Sequence, residues 1–326
     1  MTSRTASHAG SWYTENPQAL SAELDQFLGQ VPSSIKDHQV PVPGARIIIA
    51  PHAGYAYSGP TAAWAYKTLD LSKAKRIFLL GPSHALHLPG CALSKHAKYS
   101  TPLGDLTIDS DTVKELQATG KFDTMSRDTD EVEHSLEMHL PYLYKMLTLS
   151  FESNKEYPSL VPVLVGSTSE ALEKAYGQIF APYLADPTSV FIVSSDFCHW
   201  GLRFQYTYYV PNNSKPGSSG ISLRRRDANP RDPEIHESIG ELDRMAMDAV
   251  EGGNHKRFLE NLRETGNTVC GRHPIGVVMA AISALKEEGR ITPEQGNFNF
   301  VRYERSEDVV DISDSSVSYA SAYAIM

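Results

Sequence analysis

Ile47-Ile48-Ile49-Ala50 runs straight into Pro51-His52-Ala53-Gly54-Tyr55: an apolar, β-rich run stops and a metal-ligand residue type follows at once. The pattern recurs twice. Arg76-Ile77-Phe78-Leu79-Leu80 leads into Gly81-Pro82-Ser83-His84, and Val190-Phe191-Ile192-Val193 leads into Ser194-Ser195-Asp196-Phe197-Cys198-His199-Trp200. Continuous apolar runs of this length read as strands buried on both faces, which is the mark of a parallel sheet in an α/β domain. Such sheets bind ligands beyond the carboxyl ends of their strands. His52, His84, Asp196 and His199 are therefore expected to converge on one sheet edge.

Around these strands the chain alternates helical and extended patterns. Leu20, Leu24, Phe27 and Leu28 share one face of a helix over 17–30. Helices are also predicted over 61–69, after a Pro51–Pro60 turn region, and over 110–119. A helix over 133–147 should be kinked or interrupted at Pro141. Further helices are predicted over 169–183, 234–251, 255–264 and 273–288, the last stopping at Gly289. More strands are expected at 160–165 and 316–325, with a short one inside 101–109. The predicted architecture is a single domain over 1–326, an α/β/α sandwich around a largely parallel or mixed sheet. Its least regular segment, 210–233, is loaded with Pro, Gly, Ser and Asn and reads as a mobile insertion. The Arg224-Arg225-Arg226 run there reads as a solvated loop face, with a localisation or binding patch as the alternative.

Composition narrows the function classes. With 41% hydrophobic and 21% charged residues, the 326-residue chain is ordinary for a globular protein. A formal charge of −9 argues against nucleic acid or an anionic membrane as partner. No apolar run is long enough to span a membrane, and no secretory signal opens the chain. Three cysteines, Cys91, Cys198 and Cys270, fit a reducing compartment and not a disulfide framework. A cytoplasmic protein is expected, with the nucleus as a further compartment. There is no Gly-rich phosphate loop, no Gly-x-Ser-x-Gly elbow and no paired Cys-x-x-Cys, which weighs against NTPase, α/β-hydrolase and zinc-ribbon readings.

His52 and His84 are each either metal ligands or turn histidines bonded to the backbone. Asp196 suits a carboxylate that orients an imidazole, acts as a base or binds metal, or one that caps the next segment. His199 is a candidate acid/base. Cys270, in Asn267-Thr268-Val269-Cys270-Gly271-Arg272-His273-Pro274, precedes a helix N-terminus, where positive potential favours thiolate. It is a nucleophile, a soft metal ligand or an inert buried thiol. Arg272 and His273 offer anion-binding groups at that helix start. His134, Glu137 and His139 do not have the spacing of a His-Glu-x-x-His zinc site, and a polar helix face or an outlying contact role is expected of them.

Six segments taken together resemble the Memo family: ASHAGSWY (6–13), IIAPHAGYAYSG (48–59), IFLLGPSH (77–84), EHSLEMHLPYL (133–143), SSDFCHWG (194–201) and CGRHPIG (270–276). The family resembles class III, extradiol-type non-haem iron dioxygenases in fold. The resemblance implies that His52, His84 and Cys270 bind a metal, with Asp196 and His199 beside it as the acid/base pair. It departs from the family at Ala85, where a second histidine is common. The dioxygenases use a carboxylate as third ligand, which suits iron(II); a thiolate makes copper a competitor. The implied function is an intracellular iron- or copper-binding redox protein acting on a small molecule or an oxygen species. The alternative is a binding module for a phosphotyrosine peptide or signalling protein in cell motility, using a cleft framed by Trp12, Tyr55 and Trp200. A ring-cleaving extradiol dioxygenase is a third reading.

Overall fold

Nine strands form the central sheet of this computed structural model: β1 (Ala45–Ala50), β2 (Arg76–Pro82), β3 (Cys91–Leu93), β4 (Phe122–Thr124), β5 (Ser159–Val165), β6 (Ser189–Ser194), β7 (His199–Gly201), β8 (Phe298–Arg305) and β9 (Ser315–Ile325). The structure describes residues 2–211 and 220–326. Across the sheet the order is β7-β9-β1-β6-β2-β5-β3-β4, with β8 on β9. The four middle strands β1, β6, β2 and β5 are parallel. The flanking strands β9 and β3 run antiparallel to them, so the sheet is mixed. Every residue of β1 and β6 is buried, as their unbroken apolar runs require when helices cover both faces.

The helices of eight or more residues are α1 (Pro17–Gln30), α2 (Tyr55–Thr68), α3 (Ser110–Ala118), α4 (Leu140–Ser150), α5 (Glu170–Ala185), α6 (Ile235–Glu251), α7 (His255–Thr265) and α8 (Arg272–Glu287). One layer is built on α2, which lies against β1 and β9 and carries α1 and α4. The other is built on the α5–α8 pair, which lies against β6 and β2. The result is the expected mixed α/β arrangement, a large sheet flanked by helices. Helix ends follow local chemistry. Asn16 accepts from the Ala19 amide with Pro17 in the first turn of α1, and Asp109 accepts from Thr112 at α3.

Three local expectations change. The Pro51–Pro60 turn region is shorter than predicted, because α2 begins at Tyr55 and holds Pro60 inside it. Buried Tyr55, Ala62, Ala63, Ala65 and Tyr66 repay the hydrogen bond that Pro60 cannot make. Pro141 does not kink a long helix. A short turn, His134–Glu137, ends first, and Pro141 sits in the first turn of α4, where its missing amide costs nothing. Of the predicted insertion at 210–233, residues 212–219 lie outside the described residues, while Ile221–Ser222 pairs with Tyr208–Tyr209 as a short antiparallel ribbon.

Candidate metal centre

Because β1, β6 and β2 are consecutive neighbours, the residues just past their ends stand side by side: His52, Asp196 and His84. The His52 ring is buried. Its Nδ1 lies 2.7 Å from Ser194 Oγ, and that hydroxyl gives its own proton to Ser135 O at 2.7 Å. The hydroxyl can then only accept from the ring, so His52 carries its proton on Nδ1 and keeps a lone pair on Nε2. The free Nε2 lies 3.4 Å from Cys270 Sγ.

His84 is set the same way by a carboxylate. Its Nδ1 donates to Glu133 Oε1 at 3.1 Å, and its amide donates to Glu133 Oε2 at 2.7 Å. Glu133 also accepts from the amides of Ala85 and Ser135. Burial alone would raise this carboxyl, but the bonds and charge of His84 and the two flanking amides hold it at about 2. A carboxylate behind an imidazole fixes its tautomer and raises its basicity as a ligand. Glu133 escaped the sequence reading, where it looked like a helix-start acid.

Cys270 arrives from the turn before α8. The Asp196 amide donates to its Sγ at 3.2 Å, and the Gly271 amide donates to Ser195 Oγ at 3.1 Å. The ligand atoms of His52, His84 and Cys270 all lie within 4.8 Å of one another. Two nitrogen lone pairs and a sulfur facing one point are a fitting donor set for a soft or borderline metal. The electrostatics at Cys270 run against the thiolate expected from the helix start. Burial pushes the Cys270 thiol well up, and the Asp196 carboxyl pushes it further, against the smaller help of the Asp196 and Gly271 amides. Deprotonation then falls to a bound cation.

Asp196 is buried, and burial raises its carboxyl despite the nearby His199 and the His52 amide. Its Oδ1 accepts from the His52 amide at 2.9 Å, and its Oδ2 stands 3.9 Å from His52 Nε2. It does not hold His199 by a direct bond among the described residues. His199 Nδ1 instead faces two carbonyls, Phe197 O at 2.9 Å and Thr268 O at 3.3 Å. Carbonyls only accept, so His199 too carries its proton on Nδ1 and presents Nε2 as a lone pair.

His84, Glu133 and His134 form a second group of close donors. Glu133 is already engaged by four N–H groups, and the His134 ring stacks on His84 at 4.5 Å and 23°. Stacked rings point their lone pairs alongside each other and not at a shared ion, so this group is a wall of the site. Burial, with His84 beside it, lowers the His134 ring to about 4. His139 lies beneath, its Nδ1 bonded to Tyr66 OH at 2.8 Å, and burial lowers it to about 3.

The three expected cleft aromatics separate. Trp12 is on the rim, 36% exposed, its ring 4.6 Å from that of His134. Tyr55 is buried, bonded to Met138 O at 2.8 Å, and packs on Tyr13 and Tyr142 below the site. Trp200 is fully buried and donates Nε1 to Tyr208 O at 2.9 Å. Tyr55 and Trp200 thus frame no cleft: both side chains satisfy their polar atom on backbone carbonyls inside the core. Trp12 is fixed through Glu137, which collects the His8 amide, His8 Nδ1, Tyr13 OH and Arg4 Nη1 at 2.7–2.9 Å. Burial opposes the charge, but His8 and Arg4 hold this carboxyl at about 2.

Two clefts open beside the site. One, of about 380 Å³, is lined by His84, His199, Cys270 and Arg272 among others. The other, of about 450 Å³, is lined by Trp12, Gly54, Tyr57, Arg203 and Tyr319 among others.

The family model described as Memo-like protein matches residues 4–323. The chain is 46% identical over 317 residues to Protein MEMO1 of Homo sapiens, covering 97% of this chain and 95% of that protein. Identity to Protein MEMO1 of Xenopus tropicalis is 45% over 323 residues, covering 99% and 97%. Identity to Protein memo-1 homolog of Caenorhabditis elegans is 42% over 318 residues, covering 98% and 81%. A crystal structure of an uncharacterized Escherichia coli K12 protein aligns with TM-score 0.41 and 13% identity over 84% of this chain and 98% of that one, too distant to carry an argument.

Proposed function

The chain belongs to the Memo family, and from that premise we propose that it is a cytoplasmic and nuclear redox protein holding one iron or copper ion at His52, His84 and Cys270. The observation that carries this reading is the pair of fixed tautomers. Ser194 and Glu133 each take the Nδ1 proton, so both rings offer Nε2 toward Cys270 Sγ. The two imidazoles suit iron and copper alike; the thiolate favours copper more than a carboxylate would. Once bound, the ion supplies a redox-active Lewis acid with open positions for a small molecule or an oxygen species. His199 Nε2 accepts a proton from a substrate in the adjoining cleft, and Asp196, its carboxyl raised by burial, stands beside His52. No helix among the described residues is long and apolar enough to cross a membrane. Metal analysis of protein purified and reconstituted without oxygen tests the reading. One ion per chain is expected, lost in His52→Ala, His84→Ala and Cys270→Ser. Wild type that retains no more metal than His84→Ala sinks it.

A second reading, docking of a phosphotyrosine peptide or signalling partner, draws support from Trp12 and Tyr57, which are exposed beside Arg203 on the other cleft. Peptide affinity that is unchanged between metal-free and metal-loaded protein would favour it. Extradiol ring cleavage ranks below both, because Cys270 replaces the carboxylate ligand. Oxygen uptake with catechols by iron-loaded protein is its test.

A further inference from the structure

The cleft on the Cys270 side has an unusual charge balance for a chain of formal charge −9. No aspartate or glutamate lines it among the described residues. Its cation is Arg272, exposed, whose guanidinium has no hydrogen-bond or ion-pair partner among the described residues. Of its hydroxyls, Ser83 donates to Leu86 O and Thr268 to His199 O, which leaves Ser167 free. His273 completes the wall. Its Nδ1 donates to the buried carboxylate of Glu173 at 2.8 Å, so its Nε2, buried and unpartnered among the described residues, is an acceptor and not an anion ligand. The same Glu173 takes His255 Nε2 at 2.6 Å, so the His273 ring is braced from below. The opposite cleft differs. There Glu307 shares the wall with Arg203, whose guanidinium already lies 4.4 Å from the centre of the Phe204 ring.

We propose that Arg272 and Ser167 form a subsite for the anionic group, carboxylate or phosphate, of a small-molecule substrate whose other end reaches the metal-ligand cluster. About 380 Å³ suits a small molecule. A guanidinium meets either anion with two parallel hydrogen bonds, and a cationic cleft on an acidic surface concentrates such substrates. The subsite deepens the metal-site reading in naming the substrate class, but its test does not need the metal.

Metal-free full-length protein is titrated with inorganic phosphate and, separately, benzoate at constant ionic strength, with chloride as the reference anion. Saturable binding of at least one anion is expected, and the stronger of the two identifies the group. Arg272→Ala should weaken it by about tenfold or more, while Arg203→Ala should change it by less than roughly twofold. In the unaltered chain the bound anion should also slow alkylation of Cys270 by neutral iodoacetamide, a clean readout because Cys91 and Cys198 are buried. That protection should vanish in Arg272→Ala and persist in part in Arg272→Lys. Absence of saturable binding, equal losses in the two alanine variants, or unslowed alkylation overturns the proposal. Failure to bind metal would leave these results standing, and loss of the anion would leave the metal count standing.

Discussion

Two residues outside the donor set decide whether the donors can work. Ser194 and Glu133 turn His52 and His84 so that their lone pairs face the same point as Cys270 Sγ. The two candidate histidine ligands were legible, because each follows a buried strand directly, and Cys270 only as a cysteine ahead of a helix. The supports of the histidines were not. A serine at a strand end and a glutamate at a helix start carry no signal of their own, and only the fold shows which ring each one meets. Glu133→Gln removes the charge behind His84 and should weaken metal binding by about 10- to 100-fold, read by competition with a chromophoric chelator. Affinity equal to wild type would show that Glu133 does not prepare His84. Thr268 was likewise invisible as the residue that, with Phe197, fixes His199. The Asp196–His199 pairing implied by the resemblance gave way to separate backbone-anchored positions.

At the scale of elements, the middle strands and the long helices match their sequence patterns closely, because unbroken apolar runs and amphipathic faces have one low-energy use. The prolines misled. Pro60 was expected in a turn ahead of a helix and lies inside one sustained by burial, while Pro141, expected to kink or interrupt a helix, sits in a first turn. The edge strands β4 and β7, and β3 next to the edge, are short, and partly exposed β8 gave no clear alternation. A close contact fixes the entry to α8. A Cβ on Gly271 would collide with Ser195 and with the Ser194 carbonyl. Gly271→Ala must therefore push α8, and Cys270 with it, away from β6. The expected cost is about 1–3 kcal/mol in urea unfolding, together with loss of bound metal. A stable variant with full metal content would show that Cys270 is not placed by this contact.

Across the whole molecule, the sheet order brings strands distant in sequence into adjacency, which the sequence could suggest only by giving them the same ending. The N-terminal segment was legible only as a resemblance. In the structure it is a strap, with Arg4 fully buried between Glu137 and the Asp130 and Glu133 carbonyls, and with His8 and Tyr13 on the same carboxylate. The buried His134 ring and the carboxylate that holds this strap make stability depend on pH. His134 titrates at about 4 when folded against about 6.5 when unfolded. The unfolded chain therefore takes the proton first, and stability falls as pH drops from about 6.5 toward 4. Glu137, at about 2 when folded against about 4.3 unfolded, continues the fall from about pH 4.5 toward 2. Urea midpoints across this range should decline in two overlapping stages. Glu137→Gln should cost about 3–5 kcal/mol at pH 7, because buried Arg4 loses its shorter ion pair and keeps only the Asp130 carboxylate at 3.3 Å, and should flatten the lower stage. A pH profile identical to wild type would dismiss Glu137 as its source.

Cys270 stands 218 residues after the histidine it faces, and β9, which lies between β8 and β1 in the sheet, is the last element of the chain. During synthesis the two histidines emerge early and wait, without their sulfur, while most of the protein is still being made. The sheet next to β1 stays open until β9 has been made. The proposed donor set is likewise complete only after Cys270 has emerged and α8 has closed on β6.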